Sequence, residues 1–136
     1  MNSKYEISTK ENREFLKASC EELLNFGHRF PSPNGGSYYL GDDGTPWKDR
    51  NRETWITCRM AHVYSLGLML GHEGSGELAD AALKGLKGEL HDEKNGGWYA
   101  GVTPEGGIVP NKQCYAHAFV ILAASSALTA GRSGAC

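Results

Sequence analysis

Apolar side chains recur at helical spacing in four segments of the 136-residue chain. Two segments, from about Thr9 to Phe30 and from Gly76 to about Leu90, are apolar along one stripe and charged elsewhere. This pattern predicts helices with one face toward solvent. The other two, from about Glu53 to Leu70 and from Lys112 to about Ala130, have no consistently polar face. These two are therefore predicted to be buried on nearly every side.

The order of the segments predicts two layers of helices. Outward-facing and inward-facing helices alternate, and only a short glycine-rich turn, residues 71–76, separates the second helix from the third. The expected fold is all-α, with two outer–inner hairpins arranged as in an α/α barrel or toroid. The length allows one domain, so residues 1–136 are assigned to it. In such hairpins both inner helices begin at the same end.

The connections that lead into the two inner helices are long and rich in glycine, over residues 31–53 and 91–111. Short strands are predicted within them at Tyr38–Leu40 and at Trp98–Ala100. Long connections in compact domains often carry function, although a solvated loop explains them equally well.

Polar groups near the starts of the inner helices are the candidate chemistry. Arg59 is the one charge inside the second helix, with Trp55 and His62 on the same stripe. Tyr115 and His117 lie in the first turns of the fourth helix. The alternative for Arg59 is a structural ion pair, and for the histidines and Tyr115 a core position satisfied by backbone. Since the fold gathers Arg59, Tyr115 and His117 at one rim with both long connections, we expect a ligand pocket there.

Composition excludes several classes of function. The chain has 14 basic and 16 acidic residues and no basic block, so nucleic acid is not an expected partner. The longest apolar run is interrupted by Ser125 and Ser126, and the first residues are polar, which argues against a membrane span or a signal peptide. Four cysteines without metal-binding spacing predict no metal site and a reduced, cytoplasmic protein.

Three segments together resemble the N-acylglucosamine 2-epimerase family. They are Trp55–Ser65, Lys94–Tyr99 and Lys112–Phe119, and the likeness extends over about residues 8–135. It is greatest to the aldose–ketose isomerases of the family, which act on mannose and on sulfoquinovose. The resemblance implies an (α/α)6 barrel, a monosaccharide as small-molecule partner, and no cofactor.

The resemblance also implies roles for individual residues. Arg59 matches an arginine that contacts sugar oxygens, where a guanidinium can stabilise an enediolate. Tyr115 matches a substrate-binding tyrosine, His117 a histidine of the same helix, and Trp55 a residue of the pocket wall. In the family a histidine removes a proton beside the carbonyl, and the cis-enediol is reprotonated elsewhere.

The two catalytic histidines of the family have no match in this sequence, so no catalytic residue is assigned. The chain is expected to be the N-terminal part of such a barrel and inactive alone. Since two hairpins cannot close a ring, the inner helices are expected to expose apolar surface, which makes self-association possible. One alternative is a non-catalytic carbohydrate-binding or interaction module. Another, glycoside hydrolysis, would need paired carboxylates in the cleft, whereas the acidic residues lie on outer faces or in loops.

Overall fold

The computed structural model describes residues 5–132. Within this range the chain is mostly helical, with α1 (Lys10–Gly27), α2 (Thr54–Met69), α3 (Ser75–Lys87) and α4 (Cys114–Thr129). All four predicted helices are confirmed, with ends that differ from the prediction by a few residues. Helix α1 begins after Thr9, whose hydroxyl accepts a hydrogen bond from the Asn12 amide at 3.1 Å. This bond satisfies one of the amide groups that the first turn of a helix leaves without a partner.

Five two-residue strands lie in the long connections. They are β1 (Tyr39–Leu40), β2 (Pro46–Trp47), β3 (Arg52–Glu53), β4 (Gly101–Val102) and β5 (Ile108–Val109). Strands β1 and β2 pair antiparallel within the first connection. Strands β3, β4 and β5 form a second antiparallel sheet to which both connections contribute. The connections are therefore joined to each other at the end of the bundle where α2 and α4 begin.

One of the two strand predictions is confirmed and the other is wrong. The strand expected near Tyr38–Leu40 forms at β1, whereas at Trp98–Ala100 only an isolated bridge between Trp98 and His91 forms, and β4 begins at Gly101. The reason is tertiary, since the Trp98 amide donates to the His117 side chain at 3.1 Å instead of entering the sheet. The preceding Gly97 has a φ of +77°, so the chain is still turning there.

Helix α2 is the centre of the packing and contacts both α3 and α4. Its Tyr64 is 1% exposed, stacks on Phe30 at 5.3 Å between ring centroids, and donates a hydrogen bond to the Leu24 carbonyl at 2.7 Å. Phe30 follows α1 and Leu24 lies within it, so Tyr64 is the main link between α1 and the rest of the core. Burial in this apolar surrounding raises the pKa of Tyr64 to about 12.

The prediction that α2 and α4 are buried on nearly every face is wrong. Helix α4 buries only Ala116, Val120, Ala123 and Ala127, which lie along one stripe, while Ile121 is 72% exposed. On α2 the apolar side chains Val63, Leu66, Met69 and Leu70 are exposed as well. The physical reason is that no other element among residues 5–132 covers these faces, so they remain in solvent. This exposure of apolar surface is itself confirmed, whereas self-association stays a prediction.

The described residues contain no helix long and apolar enough to cross a membrane. Between residues 5 and 132 no three histidine, cysteine or acidic side chains are grouped so that they could hold a metal ion. Cys20, Cys58 and Cys114 are free thiols that lie in helices, and Cys136 lies outside the described residues. Burial raises the pKa of the Cys58 thiol to about 12.

Candidate functional site

Arg59 and Tyr115 meet where α2 and α4 begin. Arg59 lies in the second turn of α2 and Tyr115 in the first turn of α4. The Arg59 guanidinium donates a hydrogen bond from Nη2 to the Tyr115 hydroxyl oxygen at 3.3 Å. The predicted approach of these two residues, which was inferred from parallel inner helices, is therefore confirmed.

Aromatic rings surround the Arg59 guanidinium. Its Cζ atom lies 4.8 Å from the centroid of a Trp55 ring and 5.1 Å from that of Phe119. The ring of Tyr115 stands edge-on to Trp55 at 6.0 Å and to Phe119 at 4.9 Å. We call Trp55, Arg59, Tyr115 and Phe119 the Arg59 cluster. A cation over an aromatic face is stabilised by about 0.5–1 kcal/mol at an exposed site, so the rings hold the guanidinium in place.

The Arg59 cluster is open to solvent, and within residues 5–132 its cation has no acidic partner. Tyr115 is 54% exposed, and Arg59 is exposed too. None of the ion pairs formed by residues 5–132 includes Arg59. The structural ion pair that the sequence left open as an alternative is thus not formed in the described part of the chain. The cluster offers a ligand a fixed positive charge, a phenol hydroxyl and aromatic surface.

Glu53 and Tyr39, which the sequence did not single out, support this cluster through hydrogen bonds. Glu53 accepts hydrogen bonds at Oε2 from the Trp55 indole Nε1, at 2.9 Å, and from the Tyr39 hydroxyl. Burial, and after it the hydrogen bond to the negatively charged Glu53, raise the pKa of Tyr39 well above its usual value. Tyr39 therefore remains a phenol and a donor. The only sequence signal for this contact was an acidic residue two positions before Trp55.

His117 is placed differently from the expectation. Its Nε2 accepts the Trp98 amide proton at 3.1 Å and its Nδ1 faces the Gln113 carbonyl at 2.8 Å. Both ring nitrogens are thus occupied by backbone, which requires the tautomer protonated at Nδ1. No hydrogen bond or ring contact among the described residues joins His117 to Arg59, Trp55 or Tyr115. Its predicted role in binding substrate stays a prediction, and its observed role is to hold the second connection against α4.

His62 contacts α4 instead of the rim. Its Nδ1 lies 2.6 Å from the Ser126 hydroxyl oxygen, and the side chain is half-buried. This contact links the middle of α2 to the last turns of α4 and fits the structural alternative for His62.

An ion pair fastens the second connection just before α4. Lys112 Nζ lies 2.7 Å from Asp92 Oδ2, and the Asp92 side chain is 4% exposed. Asp92 Oδ1 also accepts the amide protons of Lys94 and Asn95, at 3.2 and 3.0 Å. The Lys112 ammonium, helped by the Asn95 contacts, holds the pKa of Asp92 well below its usual range. The start of the helix that carries Tyr115 is thereby tied to the rim.

Solved sugar epimerases have the same arrangement of helices. Cellobiose 2-epimerase from Bacillus thermoamylovorans B4167 superposes with a TM-score of 0.74 and is 26% identical, over 90% of this chain and 33% of that one. Cellobiose 2-epimerase from Spirochaeta thermophila DSM 6192 gives a TM-score of 0.71 and 25% identity, over 93% of this chain and 35% of that one. These similarities assign the fold of this chain to the class of the sugar epimerases, of which it covers about a third.

The sequence comparisons identify the family within this class. Residues 35–136 match the N-acylglucosamine 2-epimerase (GlcNAc 2-epimerase) family, and the chain belongs to it. It is 38% identical over 125 residues to the D-mannose isomerase of Thermobifida fusca, covering 91% of this chain and 31% of that protein. It is 36% identical over 129 residues to the D-mannose isomerase of Pseudomonas cannabina pv. alisalensis, again covering 31% of the relative. The resemblance inferred from the three sequence segments is confirmed.

Proposed function

We propose that this chain provides the part of the sugar site that contains the Arg59 cluster, in an aldose–ketose isomerase that interconverts mannose and fructose. The observation that carries the proposal is the solvent-open Arg59 guanidinium, which is held between two rings, is hydrogen-bonded to Tyr115 and has no acidic partner in the described part of the chain. A cation fixed in this way is suited to the oxygens of a neutral sugar and to the negative charge of an enediolate. Trp55 and Tyr115 add the aromatic surface and hydroxyl that a pyranose or open-chain sugar would contact.

The choice of sugar rests on the relatives. Three curated proteins named D-mannose isomerase are 38%, 36% and 28% identical to this chain, against 26% and 25% for the two cellobiose 2-epimerases. Mannose is therefore a better-supported substrate than a disaccharide. In this proposal the reaction is proton transfer through a cis-enediol.

The proposed architecture is an arc of an (α/α)6 barrel. The chain spans 31% of the length of the D-mannose isomerases that it matches. Its inner helices α2 and α4 begin at one rim, where both long connections meet. The histidines that transfer protons in the family have no counterpart in this sequence, so Arg59, Trp55 and Tyr115 bind and orient the sugar, and the proton transfer belongs to other parts of the barrel.

The test is to measure sugar binding by the chain with NMR spectroscopy. D-Mannose and D-fructose should shift the resonances of Trp55, Tyr115 and Phe119, with an affinity of about millimolar order because one arc supplies few contacts. Arg59→Ala should weaken binding by about tenfold, since it removes a charged donor. Arg13→Ala is the matched control, because Arg13 lies on α1 and contacts the Ser8 carbonyl. Equal binding by the wild type and Arg59→Ala would contradict the proposal.

The alternative is a non-catalytic carbohydrate-binding module built on the same Arg59 cluster. This alternative predicts the same sugar binding as the first proposal, but it predicts no isomerase activity. If the chain binds mannose but still gives no conversion to fructose when the remaining barrel helices of a relative are supplied, the binding module is the better account.

A further inference from the structure

Glu53 is placed to control the Arg59 cluster without touching its cation. It ends β3, directly before the first residue of α2, and one of its carboxylate oxygens serves both Trp55 Nε1 and the Tyr39 hydroxyl. The indole of tryptophan has a single hydrogen-bond donor. The bond to Glu53 therefore uses the only polar anchor that Trp55 has.

This anchor determines how the Trp55 ring faces Arg59. With Nε1 bonded at 2.9 Å to Glu53, one face of the indole lies 4.8 Å from the Arg59 Cζ atom. Tyr39 stands edge-on to the same indole at 6.5 Å and Tyr115 at 6.0 Å. Rotation of the ring about its side-chain bonds would break the Glu53 bond and move the face away from the guanidinium. The attraction between cation and ring depends on that face-on geometry.

The backbone that carries Glu53 is itself held rigidly. Glu53 pairs with Gly101 in the sheet that joins the two connections. A Cβ atom at Gly101 would lie 2.8 Å from the Arg52 carbonyl oxygen, so the strands approach there more closely than another residue would allow. A side chain on a paired strand is a firmer support than one on a loop.

We propose that Glu53 is a positioning residue, which fixes the Trp55 indole in the orientation that holds Arg59 and thereby sets the affinity for sugar. The sugar-affinity part rests on the function proposed above. The orientation part concerns this chain's own side chains and stands by itself.

Two substitutions separate the hydrogen bond from the charge. Glu53→Gln keeps an acceptor oxygen for Trp55 and Tyr39, whereas Glu53→Ala removes it. Glu105→Ala is the control, since Glu105 is an exposed glutamate of the second connection. Far-UV circular dichroism and thermal unfolding establish that each variant is folded.

The first measurement is the indole N–H resonance of Trp55, assigned by its loss in Trp55→Phe. In Glu53→Ala this resonance should move, its proton should exchange faster with water, and the ring resonances of Tyr115 and Phe119 should shift as Arg59 is released. Glu53→Gln should retain most of the wild-type spectrum. If Glu53→Ala leaves the Trp55 and Tyr115 signals unchanged, Glu53 does not position the cluster and the proposal is overturned, whether or not sugar binds.

The second measurement is the affinity for D-mannose. Glu53→Ala should weaken it by about tenfold, as expected for the loss of one hydrogen bond to a charged group, and Glu53→Gln by less than about threefold, because a neutral amide oxygen replaces the carboxylate as acceptor. In the double variant Glu53→Ala/Trp55→Phe the loss of affinity should be smaller than the sum of the two single losses, because both changes break the Glu53–Trp55 contact. Full mannose affinity in Glu53→Ala would overturn the link to affinity. No binding by the wild type would instead refute the proposed function, and the resonances would still decide the positioning role.

Discussion

Arg59 and His117 show how differently two polar residues of buried-looking helices are used. Arg59 finds its partners in aromatic rings and in a phenol oxygen, all at the solvent-open rim. Both ring nitrogens of His117 are hydrogen-bonded to backbone groups, one at the start of its own helix and one in the second connection. A guanidinium remains charged over the whole physiological range, so Arg59 offers a ligand positive charge but not a base.

At the scale of single residues, the Tyr39 hydroxyl should lose its proton only at an unusually high pH. Its pKa is raised in the folded state, chiefly by burial and then by Glu53. An unfolded chain releases this proton near pH 10, as an ordinary tyrosine does. The contribution of Tyr39 to stability is therefore complete below about pH 10 and is lost as the pH rises toward the folded value.

Urea unfolding between pH 8 and 11 measures this effect. The wild type should lose stability above about pH 10 more steeply than Tyr39→Phe, which has no proton to release. In Glu53→Gln the pKa of Tyr39 should fall but stay above the ordinary value, because burial remains. Tyr5→Phe serves as the control at an exposed tyrosine. Identical alkaline slopes for the wild type and Tyr39→Phe would contradict the prediction.

At the scale of elements, the contact between α3 and the first connection should tolerate no added atom. A Cβ at Gly85 would lie 2.2 Å from the Gly36 amide nitrogen, and that neighbour is backbone. Gly85→Ala should therefore destabilise the protein by about 1–3 kcal/mol through overpacking, although alanine favours helix.

The matched control for Gly85→Ala is Gly76→Ala in the same helix. A Cβ at Gly76 meets the end of the flexible Arg132 side chain at 3.1 Å, which can move. Gly76→Ala should thus be neutral or slightly stabilising. Chemical denaturation gives both values, and equal stability of the two variants would contradict the close approach of α3 to the first connection.

The Asp92–Lys112 ion pair links the second connection to the start of α4, and its contribution to the free energy of unfolding should decrease at acidic pH. The folded-state pKa of Asp92 is lowered, first by Lys112. Its stabilisation is therefore complete above the ordinary aspartate pKa of about 4 and declines as the pH falls below it.

Asp92→Asn should unfold at lower urea concentration than the wild type at pH 7, and the difference should shrink below about pH 4. Asp42→Asn, at an exposed aspartate of the first connection, should match the wild type at both pH values. A gap between Asp92→Asn and the wild type that stays constant down to pH 2 would show that the ion pair is not its cause.

At the scale of the whole molecule, apolar surface is exposed on α1 and on α4. A groove of about 510 Å³ along α4 is lined by apolar residues that include Trp98, Ile121 and Leu128. On α1, Leu23 is 70% exposed, and Leu16 and Leu24 line a second groove of about 380 Å³. Exposed surface of this kind promotes association between chains.

We therefore expect the chain to self-associate as its concentration rises, measured by sedimentation velocity. Ile121→Lys combined with Leu128→Lys should shift the distribution toward monomer, because two charges would have to be buried in the contact. Thr129→Lys is the control, an exposed polar position of α4. A wild-type monomer at every concentration that binds no hydrophobic dye would refute the expectation.

The chain alone should not convert mannose to fructose. Acid–base catalysis needs a group within hydrogen-bond reach of the reacting carbon and its oxygen. Arg59 stays protonated, and both nitrogens of His117 are occupied by backbone. An assay of the chain alone, and with the remaining helices of the Thermobifida fusca relative supplied, tests this expectation. Turnover by the chain alone that is lost in His117→Ala would place the catalytic group in this chain.

The spacing of apolar residues was sufficient to locate the helices because that spacing is a local property. Leu16, Cys20 and Leu24 recur every four residues along one stripe of α1, and Pro31 and Pro33 follow its end. The alternation of helix types also led to the meeting of Arg59 and Tyr115, since it implied that α2 and α4 begin at the same end. The three motif segments identified the family, because residue order is all that such a resemblance requires.

Tertiary structure alone decided what each polar group touches. Glu53 meets Tyr39, which lies fourteen residues earlier in the chain, and His117 meets Trp98, nineteen residues earlier. Neither spacing follows a helix or strand period, so no local pattern predicts these contacts. The exposure of Ile121 does not follow from the pattern of apolar positions either, because the pattern marks which faces avoid water but not whether a neighbour is present to cover them. Exposed surface on the inner helices was expected only because two hairpins are too few to close a ring. Local periodicity therefore specified the elements, and only the packing of distant segments determined the site and the open faces.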